Sequence, residues 1–173
     1  MSLSQPQTVL RHPTPNDGAS VFRLIGRCPP LDTNTMYCNL LQCTHFAGTS
    51  VAAMQTVNTK EELVGFISAY LIPEREDTLF IWQVAVDERA RGIGLAGNML
   101  KHILNRPQCR HVRLLETTIT ESNQASWGFF NSIASKLGTG LEKSIMFDRD
   151  THLAGEHDTE FLARIGPFNL TQT

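Results

Sequence analysis

The chain has 173 residues, of which 41% are hydrophobic and 18% charged, a composition that is typical of one globular domain and excludes an intrinsically disordered chain. Its formal net charge is -2, from 15 Lys and Arg against 17 Asp and Glu, so it lacks the basic excess that favours nucleic acid or a membrane surface. No apolar run is long enough to span a membrane, and the 4 cysteines form neither a CxxC pair nor a zinc-like cluster with histidine. We therefore expect a cytoplasmic protein with reduced thiols and no metal site, acting on a small metabolite or a soluble partner.

Turn residues and hydrophobic periodicity divide the chain into short elements. Residues 1–8 are predicted to be a flexible tail that lacks the regions of a signal peptide, residues 9–167 a single domain, and residues 168–173 a second tail. The predicted helices cover residues 14–27, 34–48, 95–106 and 123–138. The predicted strands cover residues 9–11, 50–57, 63–71, 78–86, 112–118, 141–147 and 161–165.

The pattern of these elements predicts an α/β fold. The strand at residues 78–86 is apolar on both faces, which indicates a central strand covered on both sides. Strands and helices alternate in the middle of the chain, so we expect a sheet with helices on both faces. Asp32 or Asn34 is expected to cap the second helix, and the charged residues 74–77 are expected to form a turn between strands.

The segment from Arg89 to Gly94 has the features of a phosphate-binding turn. It follows the apolar strand and opens the third predicted helix, whose first backbone N–H groups have no partner within the helix and lie at the positive end of its dipole. Gly92 and Gly94 permit a close backbone approach to a ligand, and Arg89 and Arg91 add positive charge. The segment therefore predicts a site for a phosphate-bearing ligand.

Two better-known phosphate-binding motifs do not fit this segment. A P-loop requires Lys followed by Ser or Thr after the glycines, where this chain has Leu95-Ala96. A dinucleotide-binding fingerprint is expected early in a βαβ unit, whereas this turn comes after several predicted strands.

The segment instead resembles the acyl-CoA site of the GNAT superfamily of N-acetyltransferases. Arg89-x-x-Gly92-x-Gly94 matches the family signature R/Q-x-x-G-x-G/A, after the fourth strand and at the start of the following helix. Asn123, at the start of the last predicted helix, is similar to the family's second motif, and the order of elements agrees over almost the whole chain. The resemblance implies a GNAT fold with a central, twisted, mixed β-sheet, and acetyl-CoA as the co-substrate.

The resemblance also implies roles for particular residues. Backbone groups of Val84 and Val86 are implied to bind the pantetheine arm, and Asn123 to contact the CoA arm. The backbone amides implied to hold the pyrophosphate, with Arg89 nearby, are those of Arg91, Gly92, Ile93 and Gly94. Many members place a proton-donating Tyr where this chain has Phe130, so the thiolate, which is only weakly basic, must leave without that donor.

Further segments resemble one GNAT subfamily, the L-2,4-diaminobutyrate acetyltransferases of ectoine biosynthesis. They include Pro29-Pro30-Leu31-Asp32-Thr33-Asn34, Thr78-Leu79-Phe80-Ile81-Trp82-Gln83-Val84-Ala85-Val86, and Arg164-Ile165-Gly166-Pro167. The resemblance implies transfer of an acetyl group to the 4-amino group of diaminobutyrate, and a homodimer. The acidic run at residues 156–160 departs from the subfamily's pattern.

The implied substrate carries two ammonium groups and one carboxylate, which require acidic, aromatic and hydrogen-bonding partners. Asp32 and Glu160 are candidates to bind the α-ammonium group, and Trp82 is a candidate for a cation–π contact. Tyr37 or His157 can contact the carboxylate or orient the amine.

Glu116, expected at the end of an apolar strand beside the CoA arm, is the candidate base, directly or through a water, because the attacking amine must be neutral and α/β sheets place functional groups at strand ends. Each candidate also has an ordinary structural interpretation. These interpretations are a helix cap for Asp32, core packing for Tyr37 and Trp82, an ion pair for Glu116, and a solvated loop for His157 and Glu160.

Two other functions remain open from the sequence. One is a GNAT acetyltransferase for another small amine or for a protein N-terminus. The other is a non-catalytic acyl-CoA-binding module, because Phe130 has no proton to donate.

Overall fold

The computed structural model describes residues 7–170, so the predicted tail residues 1–6 and 171–173 lie outside the described residues. The strands are β1 (Thr8–Arg11), β2 (Val51–Val57), β3 (Lys60–Ile72), β4 (Arg75–Val86), β5 (Leu114–Thr120), β6 (Leu141–Phe147) and β7 (Glu160–Ile165). The helices are α1 (Gly18–Gly26), α2 (Met36–Gln42), α3 (Leu95–Leu104) and α4 (Gln124–Lys136). None of these helices is long and apolar enough to span a bilayer.

The 7 strands form a sheet in the order β1-β2-β3-β4-β5-β7-β6. β4 and β5 are parallel, whereas β1 with β2, β2 with β3, β5 with β7, and β6 with β7 are antiparallel. A parallel pair requires a crossover connection, and the chain between β4 and β5 contains α3. The prediction of a mixed sheet in an α/β fold is therefore confirmed.

The chain packs as two compact units. The first contains the described residues up to Tyr70 together with Gln83–Cys109, and the second contains Leu71–Trp82 and the described residues from Arg110 onward. The boundaries of a single domain at residues 9–167 stay a prediction.

Helices cover both faces of the sheet in the first unit. Phe66 on β3 is fully buried in a cluster with Leu24 of α1. The preceding residue, Gly65, lies against α3, because a Cβ there would be 2.9 Å from Sδ of Met99. Successive residues of a strand point to opposite sides, so α1 and α3 pack on opposite faces. The prediction of helices on both faces is confirmed.

The second unit has a buried centre and an exposed edge. β5 pairs with β7 from Leu115 opposite Ile165 to Thr120 opposite Glu160, and both Leu115 and Ile165 are fully buried. β6 pairs with the other side of β7 and forms the end of the sheet. Most of β6 is exposed, including the apolar residues Ile145, Met146 and Phe147.

Three local predictions are wrong. The cap of α2 is Thr35, whose side chain accepts the N–H of Cys38, and neither Asp32 nor Asn34 caps it. Thr35 takes the extended backbone that an N-cap requires, one residue before the helix begins. α2 ends at Gln42 instead of near residue 48, and the charged residues 75–77 begin β4 instead of forming a turn.

Candidate functional site

The turn between β4 and α3 has the backbone that the phosphate-site prediction requires. A short 3-10 turn at Glu88–Ala90 is followed by Gly92 and Gly94, whose φ angles are +77° and +76°. Only glycine adopts this left-handed region without strain, so both positions are fixed by backbone conformation. Gly94 is the N-cap of α3, and the turn is exposed, so the first N–H groups of the helix lie next to an open surface.

A buried carboxylate stabilises the start of this turn. Asp87, directly after β4, accepts hydrogen bonds from the backbone N–H and the guanidinium of Arg89 and from the guanidinium of Arg27. Hydrogen bonds from Arg89 hold the pKa of Asp87 well below its usual range, although burial opposes that shift. Arg89 also forms an ion pair with Glu62, so its charge is largely balanced by two carboxylates.

Arg91 is the other cation of the turn. Its Nε donates to the carbonyl of Val86 at 3.0 Å, and its side chain is exposed. The carbonyl of Val86 also accepts a bond from Sγ of Cys28 at 3.4 Å. Val84 and Val86 are both half-buried, on the opposite side of β4 from the buried Ala85. Ile93 in the turn is exposed.

The segment between α1 and α2 contains the amine-binding candidates of the first unit. Asp32 is exposed, and no hydrogen bond to its carboxylate is found among residues 7–170. Its backbone carbonyl accepts a bond from Nε2 of Gln83 at 2.7 Å. Tyr37, on α2, is 70% exposed, so its interpretation as a core residue is wrong, and so is that of Asp32 as a helix cap.

Glu116 lies at the centre of an ion-pair cluster in the second unit. The prediction that it ends its strand is wrong, because β5 continues beyond it to Thr120. Its side chain is 1% exposed, and it accepts two bonds from the guanidinium of Arg75, at 2.9 and 3.0 Å. Arg164 on β7 donates to the same carboxylate at 2.8 Å through Nε. Burial raises the pKa of Glu116, but the bonds from Arg75 and Arg164 outweigh burial, so the net pKa is lowered.

The remaining candidates of the second unit differ in their surroundings. Trp82 is 39% exposed near the end of β4, so its interpretation as a core residue is wrong. Oδ1 of Asn123 caps α4 by accepting the N–H of Ser126, and its amide NH2 group donates no bond to any residue from 7 to 170. Glu160 is half-buried at the start of β7, and His157 is exposed in the preceding loop.

Phe130 is buried in α4, with its ring in an edge-on contact with Phe129. Its side chain has no proton to donate, unlike the Tyr that many members of the resembled family have at this position. Sequence reasoning also missed four functional neighbours that only the folded chain brings into contact. They are Arg75 and Arg164 beside Glu116, Gln83 beside Asp32, and Asp87 beside Arg89. Arg164 lies in a recognised segment, but nothing in that segment indicated its partner.

The fold and this turn define a class of enzyme. The family model described as the acetyltransferase (GNAT) family matches residues 20–134, and the chain belongs to that family. The predictions of the family, of the GNAT fold and of an acetyl-CoA-dependent acetyltransferase are confirmed.

Closer relatives share a narrower description. The chain is 53% identical to the L-2,4-diaminobutyric acid acetyltransferase of Methylotuvimicrobium alcaliphilum, over 96% of this chain and 95% of that protein. It is 51% identical to the protein of the same name from Vibrio cholerae, over 91% of this chain and 88% of that protein. A solved structure of the diaminobutyrate acetyltransferase EctA from Paenibacillus lautus, in complex with L-2,4-diaminobutyric acid and coenzyme A, matches with a TM-score of 0.87 and 34% identity. That match covers 98% of this chain and 100% of the solved chain.

Proposed function

We propose that this chain transfers the acetyl group of acetyl-CoA to the 4-amino group of L-2,4-diaminobutyrate, giving N4-acetyl-diaminobutyrate, a step of ectoine biosynthesis. The observation that carries the proposal is similarity over nearly the whole chain to proteins named for this activity, one of them solved with the diamine and coenzyme A. The exposed glycine turn at the start of α3 supports it, because a phosphate-bearing co-substrate requires such a turn.

Most of the groups that we assign to acetyl-CoA lie between the end of β4 and the start of α3. The backbone amides of Arg91, Gly92, Ile93 and Gly94 bind the pyrophosphate, and the backbone of Val84 and Val86 binds the pantetheine arm. Arg89 acts mainly by holding the turn, because Asp87 and Glu62 balance its charge. In the second unit we assign the amide NH2 of Asn123 to the CoA arm.

Five side chains are assigned to the diamine, each on the basis of its own chemistry and surroundings. Asp32 is an exposed carboxylate without a bonded partner in the described chain, which suits it to an ammonium group. Trp82 presents part of an indole ring, which suits it to a cation. Glu160 is proposed to share the α-ammonium group with Asp32, and Tyr37 or His157 to contact the substrate carboxylate or orient the reacting amine.

The transfer is a direct reaction between the amine and the thioester. The neutral 4-amine attacks the carbonyl carbon, the C–N bond forms, the C–S bond breaks, and the nitrogen loses one proton. Coenzyme A leaves as a thiolate, which is weakly basic and can take its proton from solvent without a donor at Phe130. An alkylamine is mostly protonated at neutral pH, so a group that accepts its proton is required.

Glu116 is the proposed base, acting directly or through a water. Both of its carboxylate oxygens accept bonds from guanidinium groups, which lower its pKa and make it a weak proton acceptor. Oε1 accepts bonds from both arginines, whereas Oε2 accepts one bond, from Arg75, so Oε2 is the oxygen that can take a proton. Replacement of Glu116 therefore decides between a base and a structural ion pair.

We also propose that the enzyme works in the cytoplasm. The 4 cysteines are free thiols, and burial raises the pKa of Cys43 to about 12 and that of Cys109 to about 11. Such inert, unpaired thiols are typical of a reducing compartment.

A homodimer is the proposed assembly. β6 is an edge strand whose consecutive apolar residues Ile145, Met146 and Phe147 are 59%, 37% and 41% exposed, and an edge of this kind favours pairing with another chain. Light scattering coupled to gel filtration is expected to give a dimer for the wild type and a monomer for Ile145→Lys. The exposed loop variant Glu156→Lys is the control, and a monomeric wild type would exclude this assembly.

The activity is tested with a panel of acceptors. Release of free thiol from acetyl-CoA would be followed with L-2,4-diaminobutyrate, ornithine, lysine, spermidine and a short peptide. We expect the highest kcat/KM for diaminobutyrate, with the product acetylated at the 4-amine by NMR. A higher kcat/KM for another acceptor would exclude the proposed substrate, and binding of acetyl-CoA without turnover of any acceptor would indicate a binding module.

A further inference from the structure

The connection between α1 and α2 is bound along the last residues of β4. At its start, Arg27 donates to Asp87 at 3.2 Å. Further on, Sγ of Cys28 contacts the carbonyl of Val86, and Gln83 binds the backbone of Asp32. All of these contacts lie within the first unit. The segment that contains Asp32 is therefore held by the same strand whose backbone is assigned to the pantetheine arm.

Gln83 makes the contacts nearest to Asp32. It is 7% exposed, on the same side of β4 as Ala85, which packs in the cluster with α1. Its Nε2 donates to the carbonyl of Asp32 at 2.7 Å, and its Oε1 accepts from Nδ2 of Asn34 at 2.8 Å. A carbonyl can only accept, so the amide orientation of Gln83 is fixed, and position 34 must supply a donor.

These bonds serve the segment and not the neighbouring helix. Thr35 already caps α2, so the helix does not need Asp32 or Asn34. The backbone of Asp32 is anchored through its carbonyl, whereas its carboxylate stays exposed. An anchored backbone with an unoccupied charged side chain is the arrangement expected of a group that binds a ligand in a fixed place.

We propose that Gln83, together with Asn34, is the positioning residue that holds Asp32 at a fixed place for the α-ammonium group of the diamine. The inference rests on the proposed function. The number of carbons between the two amines fixes how far the reacting amine lies from the α-ammonium group. If Asp32 holds the α-ammonium group at a fixed place, the reacting amine of diaminobutyrate reaches the thioester, whereas that of the longer diamine ornithine is misplaced. Both ends of the Gln83 amide are bonded to the segment, so its effect is expected through Asp32, on KM and on this selection.

Two substitutions at Gln83 test the inference. Gln83→Leu removes both bonds, and Gln83→Glu keeps the acceptor for Asn34 but places a carboxylate oxygen against the carbonyl of Asp32. For both variants we expect KM for diaminobutyrate to rise about tenfold and the preference over ornithine to fall, with KM for acetyl-CoA unchanged. If Gln83→Leu does not fold, Asn34→Ala removes the bond between Asn34 and Gln83 without changing β4, and the same direction of change in KM is expected.

Gln55 provides a matched control. It is also a strand glutamine that is 7% exposed, and its Nε2 donates to the hydroxyl of Thr8. Gln55→Leu is expected to lower the melting temperature by a similar amount while leaving KM and the ornithine preference at wild-type values. An equal rise of KM in both variants, or no rise in Gln83→Leu, would overturn the inference.

Hydrogen exchange separates this inference from the proposed function. The backbone amides of residues 31–35 are expected to exchange faster in Gln83→Leu than in the wild type, without any substrate present. If wild type fails to acetylate diaminobutyrate, the proposed function fails, and so does the assignment of Gln83 to selection of that diamine. If wild type does acetylate it but the exchange is unchanged in the variant, only the positioning role fails.

Discussion

Each of the two units contains a buried carboxylate held by two arginines, and the two clusters differ in where the arginines come from. Asp87 in the first unit is bonded by Arg89, two residues away, and by Arg27. Glu116 in the second unit is bonded by Arg75 on β4 and Arg164 on β7, which are 41 and 48 residues away. The first cluster shapes a turn, whereas the second joins three strands.

The difference shows what each cluster does for the site. Asp87 fixes the backbone that leads into Gly92 and Gly94, so its effect is expected mainly on binding of acetyl-CoA. Glu116 is opposite Phe80 on β4 and Arg164 on β7, so its effect is expected on the stability of the sheet as well as on catalysis. Perturbing one cluster at a time separates binding from stability.

Acid is expected to have the largest effect, because it weakens both clusters at once. The folded-state pKa values of Asp87 and Glu116 lie below their ordinary values of 3.8 and 4.5, so the unfolded chain takes up protons first. Their contribution to stability is complete above the ordinary values and is lost as the pH falls below them. The urea midpoint should therefore fall steeply below about pH 4.5. Burial also lowers the pKa of His102, so a shallower fall should begin as the pH drops through the ordinary value of 6.5 for that group. The slope of the steep fall should be smaller in Glu116→Gln, and an unchanged slope would contradict this account.

Glu116→Gln should have the next largest effect. Removing the buried charge leaves Arg75 and Arg164 without their carboxylate, but their side chains are 44% and 40% exposed and stay partly hydrated. We therefore expect the free energy of unfolding to fall by about 2 kcal/mol. If Glu116 is also the base, kcat falls by about 100-fold or more in the variant assayed at a temperature at which it is folded. Glu76→Gln, an exposed glutamate on β4, is the control for loss of charge. Lower stability with normal kcat and an unchanged pH profile would leave Glu116 a structural residue.

Asp87→Asn is expected to act on the turn with a smaller loss of stability, about 1 to 2 kcal/mol, because Arg27 and Arg89 are half-exposed and remain hydrated. KM for acetyl-CoA should rise several-fold while KM for the amine changes little. Steady-state kinetics with each substrate varied in turn measures the difference. Glu88→Gln removes a charge from the same turn without breaking an ion pair. An equal rise of KM for acetyl-CoA in that variant would show that loss of negative charge, and not loss of the bonds to arginine, is the cause.

Gly94→Ala should have the smallest effect on stability. A Cβ at Gly94 would meet no atom within 4 Å, so only the φ angle of +76° opposes it, at a cost of about 1 kcal/mol. The same change should raise KM for acetyl-CoA, because relaxation of the backbone moves the amides at the start of α3. A Cβ at Gly26, at the end of α1, would also meet no atom within 4 Å, and Gly26 does not have a positive φ. Gly26→Ala should therefore be neutral or stabilising. Equal effects of the two changes would show that backbone conformation is not the cause.

Local patterns in the sequence predicted more of the fold than of the site. The alternation of strands and helices, and the glycine turn before α3, depend on neighbouring residues, and the structure agrees with both. The cap of α2 was misplaced because Asp32, Asn34 and Thr35 are all good caps, and only the backbone selects Thr35.

The site residues depend on contacts between distant parts of the chain, which one sequence does not show. Glu116 was recognised as a polar residue in an apolar strand, but its partners, on two other strands, are set by register. Gln83 was recognised only as part of a family segment. Its bonds to Asp32 and Asn34 exist because the α1–α2 connection folds back along β4, and no local pattern predicts that path.

The burial of the thiols has a practical consequence for enzyme assays. A chromogenic disulfide that reports coenzyme A release is also attacked by any protein thiolate that it can reach. Cys43 and Cys109 are buried and stay protonated at assay pH, and Cys28 is buried, whereas Cys38 is only half-buried. The reagent should therefore give at most a small offset, one equivalent per chain from Cys38, and the colour that accumulates beyond it should measure turnover.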